Sequence, residues 1–179
     1  DLTGPPEITS IDPSQVCDDG RAFTITGTFF TNTSVVEVDG SVANSVFIDT
    51  EHIDVTLPSN YGEGVYDVTV RNVDQCFGTA TNSLEVVSSP LPFFVDPQVI
   101  YNGIDLQVTL FASDINDNVS SVNIVDSLGN ETVVVFNYDP TDPNRVQFTV
   151  PAGLPSDTYS VYIEDILQCG DTLSSAFFI

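Results

Sequence analysis

The sequence predicts an all-β protein built as two tandem β-sandwiches of about seven strands each. Three observations predict it. The 179 residues include 25 Val and 18 Thr, which favour pleated strands, while 11 Gly and 11 Pro interrupt the chain often. Short stretches alternate apolar and polar residues, with turn residues between them. The sequence also repeats itself once, so the length is that of two domains.

The repeat determines the expected domain boundaries. Three segments recur 93 positions later in the chain: 56–58 (TLP) as 149–151 (TVP), 66–68 (YDV) as 159–161 (YSV), and 75–76 (QC) as 168–169 (QC). Near the start of each copy the offset is only 84, from Asp12-Pro13 to Asp96-Pro97. We therefore predict one domain over 1–88 and a second over 89–179, joined at the proline-containing linker 88–92. The second copy is longer by about ten residues, and we expect them in the acidic loop 137–144 (NYDPTDPN), which cannot continue a central strand.

Each expected strand follows from a local alternation. In 65–71 (VYDVTVR), for example, Tyr66, Val68 and Val70 fall on one face and the polar residues on the other. The expected strands of the first copy are 7–11, 22–28, 35–39, 45–48, 52–57, 65–71 and 80–87. Those of the second copy are 93–96, 104–112, 120–126, 131–137, 145–150, 158–164 and 173–178.

The charge balance excludes two classes of partner. Three Arg and no Lys stand against 26 acidic residues, which gives a net charge of −23. A nucleic-acid binder needs clustered cations, and Arg21, Arg71 and Arg145 are far apart in the sequence. The apolar runs are too short to span a bilayer, so we expect neither nucleic acid nor membrane insertion.

Five segments of the first copy carry a family resemblance. They are 6–13 (PEITSIDP), 19–30 (DGRAFTITGTFF), 36–40 (VEVDG), 55–58 (VTLP) and 64–72 (GVYDVTVRN). Together they resemble the successive signatures of an IPT/TIG immunoglobulin-like domain. The second copy is more divergent, and its assignment depends on the internal repeat. The resemblance implies two immunoglobulin-like (Ig-like) sandwiches and spacer or interaction roles, as in bacterial cell-surface proteins.

The resemblance also bears on the three cysteines. A bond between Cys17 and Cys76 resembles a disulfide found in many extracellular Ig-like repeats, and it leaves Cys169 as a free thiol or as a bond across a module or subunit boundary. The alternative pairs Cys17 with Cys169 and leaves Cys76 to reach a preceding module. Both pairings imply an exported protein, at the cell surface or outside the cell.

Calcium is the one cofactor that the sequence suggests. Asp114, Asn116, Asp117 and Asn118 form a DINDN segment that is similar to the calcium-linker motif of cadherins. Hard oxygen ligands at near-alternate positions suit Ca²⁺, and we expect Asp165 to lie near the same loop. The plain alternative is a solvated turn.

Catalysis is not expected from this sequence. Its single histidine, His52, begins a predicted strand, and no nucleophile motif surrounds any Ser or Cys. Sequons at Asn32, Asn118 and Asn130 are candidate glycosylation sites.

Two functions remain open. The first is a non-catalytic structural and adhesive module, a rigid rod or filament subunit whose partners are neighbouring Ig-like modules or identical subunits. Two apolar edge segments, 132–136 and 174–179, suit strand addition between such subunits. The second is a carbohydrate-binding accessory module of a secreted polysaccharide-acting enzyme, with surface glycans as partners. It requires a flat row of exposed aromatic rings, for which Tyr61, Tyr101 and Tyr138 are the candidates.

Overall fold

The computed structural model describes residues 4–59, 61–115 and 119–179. The chain divides into two compact units, Asp1–Ser88 and Ser89–Ile179, called module 1 and module 2 below. Within the described residues, all regular structure is β-strand, as the composition predicts. The described part of the chain has no helix of the length and hydropathy needed to cross a membrane.

The described part of module 1 contains nine strands in two sheets. The strands are β1 (Glu7–Asp12), β2 (Gln15–Cys17), β3 (Ala22–Thr28), β4 (Val35–Val38), β5 (Ser41–Val42), β6 (Asn44–Phe47), β7 (His52–Thr56), β8 (Gly64–Arg71) and β9 (Phe77–Val87). One sheet has the order β1-β3-β7-β6 and the other β2-β9-β8-β4-β5. All neighbours are antiparallel except β2 and β9, which are parallel. The seven expected strands are present, and β2 and β5 are short additions.

Over residues 89–115 and 119–179, module 2 contains eight strands in a similar arrangement. They are β10 (Leu91–Asp96), β11 (Leu106–Ser113), β12 (Val119–Val125), β13 (Glu131–Val133), β14 (Val135–Tyr138), β15 (Arg145–Val150), β16 (Thr158–Asp165) and β17 (Gly170–Phe178). The sheets have the orders β10-β11-β15-β14 and β13-β12-β16-β17. The expected strand 131–137 is in fact two strands, because the chain passes from one sheet to the other at the buried Val134.

Each module encloses its own apolar core between its two sheets. In β16 the residues alternate strictly, so that Tyr159, Val161 and Ile163 are buried while Ser160 and Tyr162 lie on the outer face. Phe23, Ile25 and Leu84 belong to the core of module 1, and Tyr159, Phe148 and Phe177 belong to the core of module 2. This period of two is what the sequence pattern predicts for strands buried on one face.

The repeat extends to individual hydrogen bonds. Tyr66 Oη donates to the carbonyl of Gly62 at 2.7 Å, and Tyr159 Oη donates to the carbonyl of Pro155 at 3.1 Å, 93 positions later. Such a bond from a tyrosine to the backbone just upstream is the tyrosine corner of Ig-like sandwiches. Positive φ angles recur with the same offset, at Gln75 and Gln168 (68° and 65°) and at Asn82 and Ser175 (47° and 52°).

The insertion in module 2 is not where the sequence suggested. The strand registers make Val38 equivalent to Ile124, an offset of 86, and Ser41 equivalent to Thr132, an offset of 91. Five extra residues therefore lie in the β12–β13 hairpin, and only two lie in the loop 139–144. The sequence assigned the insertion to 137–144 because of its two Asp-Pro pairs, but a hairpin lengthens without disturbing either sheet, and its tip needs no proline.

Candidate functional site

The chain crosses module 1 from end to end. The backbone of Pro6 lies against Gly78, near the start of β9, so closely that a Cβ at Gly78 would collide with the Pro6 carbonyl. At the other end of β9, Val87 pairs with Cys17. Nine residues of a bulged strand separate these points, which is about 25–30 Å. The chain therefore enters module 1 at one end of the sandwich and leaves it at the other.

In each module the segment that follows the first strand runs parallel to the last strand. In module 1, Glu85 N–H donates to the Ser14 carbonyl at 2.8 Å and Asp18 N–H donates to the Val87 carbonyl at 3.0 Å. In module 2, a single parallel bridge joins Val99 to Phe178. Two backbone hydrogen bonds hold this bridge, between Ile100 N–H and the Phe178 carbonyl and between Phe178 N–H and the Gln98 carbonyl, both at 2.9 Å. Pulling a module by its two ends thus loads these hydrogen bonds together.

The structure corrects the disulfide expected from the resemblance. Cys17 and Cys169 are disulfide-bonded, and Cys76 is a free, exposed thiol. The bond between Cys17 and Cys76 is excluded because the two residues lie near opposite ends of β9, whereas the Cα atoms of a disulfide are at most about 7 Å apart.

The free thiol of Cys76 lies in the β8–β9 turn beside a carboxylate. Asp74 Oδ1 accepts a hydrogen bond from Cys76 N–H at 3.0 Å. The negative charge of Asp74 is the main cause that raises the pKa of the Cys76 thiol. Cys76 is thus exposed but weakly nucleophilic, because the thiolate is the reactive form.

The proposed calcium ligands are only partly within the described residues. Asn116, Asp117 and Asn118 lie outside them. Asp114 has a positive φ of 56° and accepts a hydrogen bond from Ser113 Oγ at 2.8 Å. Asp165 is fully buried, and its Oδ1 accepts hydrogen bonds from Leu167 N–H and Cys169 N–H, at 2.8 and 2.9 Å. No cluster of three His, Cys, Asp or Glu side chains suited to a metal occurs among residues 4–59, 61–115 and 119–179, so calcium stays a prediction.

His52, the single histidine of the sequence, begins β7 and contacts an acidic side chain. Its Nδ1 lies 2.9 Å from Asp49 Oδ1, and both side chains are exposed. A hydrogen bond from Glu51 N–H, together with this contact, lowers the pKa of Asp49. The arrangement closes a turn before β7, as a structural histidine does.

Each arginine is matched by an acidic side chain. The pairs are Arg21 with Asp19 at 3.2 Å, Arg71 with Glu37 at 3.4 Å and Arg145 with Asp142 at 3.4 Å. The guanidinium groups of Arg71 and Arg145 also lie over the rings of Phe77 and Phe111. These ion pairs and ring contacts involve all three arginines of the chain, which are too few to form a basic patch.

Two of the three sequon asparagines are on the described surface. Asn32 is exposed in the β3–β4 loop, and Asn130 is exposed at the end of the β12–β13 hairpin. The Asn130 side-chain amide donates a hydrogen bond to Asp126 Oδ2 at 2.7 Å. The donor nitrogen of this bond is the atom to which a glycan would be attached. Asn118 lies outside the described residues. Glycosylation remains a prediction from the sequence.

The three tyrosines proposed as a sugar platform do not form one. Tyr61 lies in module 1, donates to the Val38 carbonyl and contacts Tyr66 edge-on. Tyr138 packs against the core of module 2, and Tyr101 is 76% exposed on a loop of that module. The aromatic row therefore does not exist at these positions.

A groove that the sequence did not indicate lies on the outer face of the β13-β12-β16-β17 sheet. Its volume is about 360 Å³, and it is lined by Asn123, Val125, Glu131, Ser160, Tyr162 and Thr172. Cross-strand registers order these residues in two rows, Asn123–Tyr162–Thr172 and Glu131–Val125–Ser160. The volume is within the range of small-ligand sites. The one available signal was the alternation that puts Asn123 and Tyr162 on the outer faces of their strands.

Comparison with known families agrees with the fold and the tyrosine corner. Residues 6–86 match the family model of the IPT/TIG domain. Module 1 is an IPT/TIG domain. The resemblance identified from the sequence is thereby confirmed, and the all-β sandwich fold is confirmed with it. No curated protein has significant sequence similarity to the chain.

Three solved structures illustrate the chain's similarity to multidomain proteins. The plexin A4 extracellular region is 14% identical with a TM-score of 0.48, over 97% of this chain and 18% of that one. A surface glycan-binding protein of the Bacteroides ovatus mixed-linkage glucan utilization locus is 14% identical with a TM-score of 0.43, over 96% and 42%. The first eight Ig domains of Down syndrome cell adhesion molecule are 11% identical with a TM-score of 0.45, over 96% and 27%. This chain thus spans less than half the length of each.

Proposed function

We propose that the chain is a non-catalytic structural and adhesive part of an exported surface protein, a load-bearing spacer or filament subunit located at the cell surface or outside the cell. Its partners are neighbouring Ig-like modules or identical subunits. The observation that carries the proposal is the parallel pairing of β2 with β9 across an IPT/TIG domain that the chain enters and leaves at opposite ends.

The mechanical argument follows from this geometry. Force applied to the two ends of module 1 acts along β2 and β9 in opposite directions. The hydrogen bonds at Ser14–Glu85 and Asp18–Val87 then bear the load together, whereas in a hairpin pulled open they break one after another. Forced unfolding is governed by the unfolding rate, so a joint rupture of several bonds makes a module mechanically resistant.

Export is supported by the cysteines. Cys17 and Cys169 are both buried and disulfide-bonded, and disulfides of this kind persist in oxidising compartments. The net charge of −23 keeps such a chain soluble outside the cell.

Single-molecule force spectroscopy tests the proposal on the two-module chain, attached through its termini and reduced so that no disulfide diverts the force from module 1. We expect Asp18→Pro to lower the unfolding force of module 1, because proline removes the N–H that bonds to the Val87 carbonyl. Asp18→Asn keeps this N–H and is the matched control. Equal unfolding forces for the two variants, with both modules folded by circular dichroism, would contradict the load-bearing role.

The second candidate function is a carbohydrate-binding accessory module of a secreted polysaccharide-acting enzyme. One observation favours it, the groove lined by Tyr162 on module 2. It does not depend on Tyr61, Tyr101 or Tyr138.

A further inference from the structure

The two modules carry different side chains on the outer face of one sheet. This sheet is β2-β9-β8-β4-β5 in module 1 and β13-β12-β16-β17 in module 2. Equivalent positions are Thr69 and Tyr162, Thr79 and Thr172, and Glu37 and Asn123. In module 1 these side chains satisfy one another. Thr69 Oγ1 lies 2.8 Å from Thr79 Oγ1, and Glu37 pairs with Arg71 at 3.4 Å. The polar side chains on this face of module 1 are therefore paired with one another.

In module 2 the same face is left open. Asn123 Oδ1 is buried and accepts no hydrogen bond from any described residue. The residue equivalent to Arg71 is Glu164, so module 2 lacks the cation that pairs with Glu37 in module 1. A buried acceptor without a protein partner is uncommon in folded proteins, and a water molecule or a ligand hydroxyl that reaches this face would complete it.

The ring of Tyr162 is held over this face by its neighbours. Its Oη lies 3.3 Å from Glu164 Oε1. Gly170 on β17 pairs with Glu164, and an added Cβ at Gly170 would collide with the Tyr162 phenol and the Ile163 carbonyl. The absence of a side chain at Gly170 thus leaves room for the phenol of Tyr162.

The wall of the groove is made by the insertion that module 1 lacks. The five extra residues lengthen the β12–β13 hairpin, which adds the Val125–Glu131 pair to the ladder. Asp126 accepts hydrogen bonds from Leu128 N–H and Asn130 N–H, at 2.9 and 2.8 Å, so the hairpin is internally fixed. The aromatic ring, the open acceptor and the wall therefore all occur where the second copy departs from the first.

We propose that this groove of module 2 binds an uncharged saccharide, with one sugar ring stacked on Tyr162 and its hydroxyls bonded to Asn123, Glu131, Ser160 and Thr172. A sugar presents an apolar C–H face to an aromatic ring and hydroxyls at its edge, which donate and accept. The groove supplies acceptors in Asn123 and Glu131 and groups of both kinds in Ser160 and Thr172. The inference rests on the proposed adhesive function and names the class of ligand that this function would bind.

Charge and size select against other occupants. Glu131 lines the groove, Glu164 contacts its Tyr162, and the chain has a net charge of −23, all of which repel an anionic saccharide. A cation would pair with Glu131 but offers no acceptor to the hydroxyl groups of Ser160 and Thr172. A protein partner needs about 800 Å² of surface per side, whereas the groove is two rows of side chains wide.

Affinity electrophoresis in native gels tests the proposal, with soluble β-glucan, galactomannan or starch as the neutral polysaccharide and polygalacturonate as the anionic one. We expect the wild-type two-module chain to be retarded by at least one neutral polysaccharide. Tyr162→Thr, which installs the residue of module 1, removes the stacking ring and is expected to weaken binding about tenfold or more. Glu131→Ala, at an exposed position, weakens binding in the same gel. Tyr101→Thr alters an exposed tyrosine outside the groove and leaves the retardation unchanged.

Three results would overturn the proposal: no retardation by any of the neutral polysaccharides, equal retardation of wild type and of a folded Tyr162→Thr, or stronger retardation by polygalacturonate. The unfolding force of module 1 concerns a different module. The force measurement and the affinity gels are therefore independent. A failure of the first would contradict the load-bearing role, and a failure of the second would contradict saccharide binding.

Discussion

Asn72 and Asp165 occupy the same position in the two modules and hold the same turn by different hydrogen bonds. Asn72 Oδ1 accepts from Ser34 Oγ at 2.6 Å and its Nδ2 donates to the Phe29 carbonyl at 2.9 Å. Asp165 instead accepts two backbone N–H groups of its own turn. In both modules the backbone N–H of this residue donates to the carbonyl of the cysteine that ends the turn, Cys76 or Cys169, at 2.9 Å.

Replacing Asn72 is expected to destabilise module 1. Asn72→Ala leaves the Phe29 carbonyl without its side-chain donor, and losing buried hydrogen bonds costs about 1–3 kcal/mol of unfolding free energy. Urea unfolding followed by tyrosine fluorescence measures the loss. Asn32→Ala, at an exposed position, is the control and is expected to change stability by less than about 0.5 kcal/mol. Equal stability of both variants would mean that the Asn72 bonds are not needed for the turn.

Only Cys76 is expected to react with a thiol reagent in the native chain, because Cys17 and Cys169 are disulfide-bonded. The negative charge of Asp74 raises the pKa of Cys76, so at pH 8 the native thiol reacts more slowly than in the urea-unfolded chain. Asp74→Asn removes the charge and keeps an oxygen for Cys76 N–H, and we expect faster labelling. Mass spectrometry of non-reduced peptides identifies the labelled residue, and label on Cys17 or Cys169 would contradict the bonding states.

Acid is expected to loosen the β12–β13 hairpin before it unfolds module 2. The hydrogen bond from the Asn130 amide is the main cause that lowers the pKa of Asp126, and the bond from Ser127 Oγ lowers the pKa of Asp157. Because the folded-state pKa is lowered, these hydrogen bonds stabilise the hairpin fully at pH values above the ordinary pKa of 3.8. The stabilisation is lost as the pH falls through the folded-state pKa, which lies below 3.8.

Amide chemical shifts between pH 5 and pH 2 report this change. The N–H signals of Leu128 and Asn130 are expected to move with the protonation of Asp126, at a midpoint below 3.8. In Asp126→Asn the acceptor oxygen is kept and the charge is absent, so this movement is expected to disappear. A midpoint above 3.8 would show that the hydrogen bonds do not favour the charged form.

The two tyrosine corners offer a matched pair of substitutions. Tyr66→Phe and Tyr159→Phe each remove one hydroxyl bonded to a backbone carbonyl, and each is expected to cost about 1 kcal/mol. Tyr159 is buried and stacked on Phe177 at 5.4 Å between centroids, so its ring is retained by packing in the Phe variant. Thermal unfolding of the two-module chain measures both effects. A neutral result at both positions would mean that water replaces the corner bonds at no cost.

Several features followed from the residue pattern alone. Alternation in β16 identified its buried face, and the recurrence of Tyr66 as Tyr159 and of Cys76 as Cys169 identified the duplication. The IPT/TIG assignment of module 1 followed from contiguous segments. These features are readable because each depends on residues close together in the chain, where a period of two or a fixed offset is visible directly.

Only the tertiary structure decided which residues meet. The bond state of Cys17 depends on the length of β9, which carries Cys76 to the far end of the sandwich. The split of 131–137 at Val134 depends on two sheets that each accept half of the segment. The groove brings together Asn123, Tyr162 and Thr172 from three strands, through registers that no local pattern encodes. Strand order and register are set by packing across the whole sandwich, which is why sequence alone determined the strands and the duplication, and the fold determined the sites.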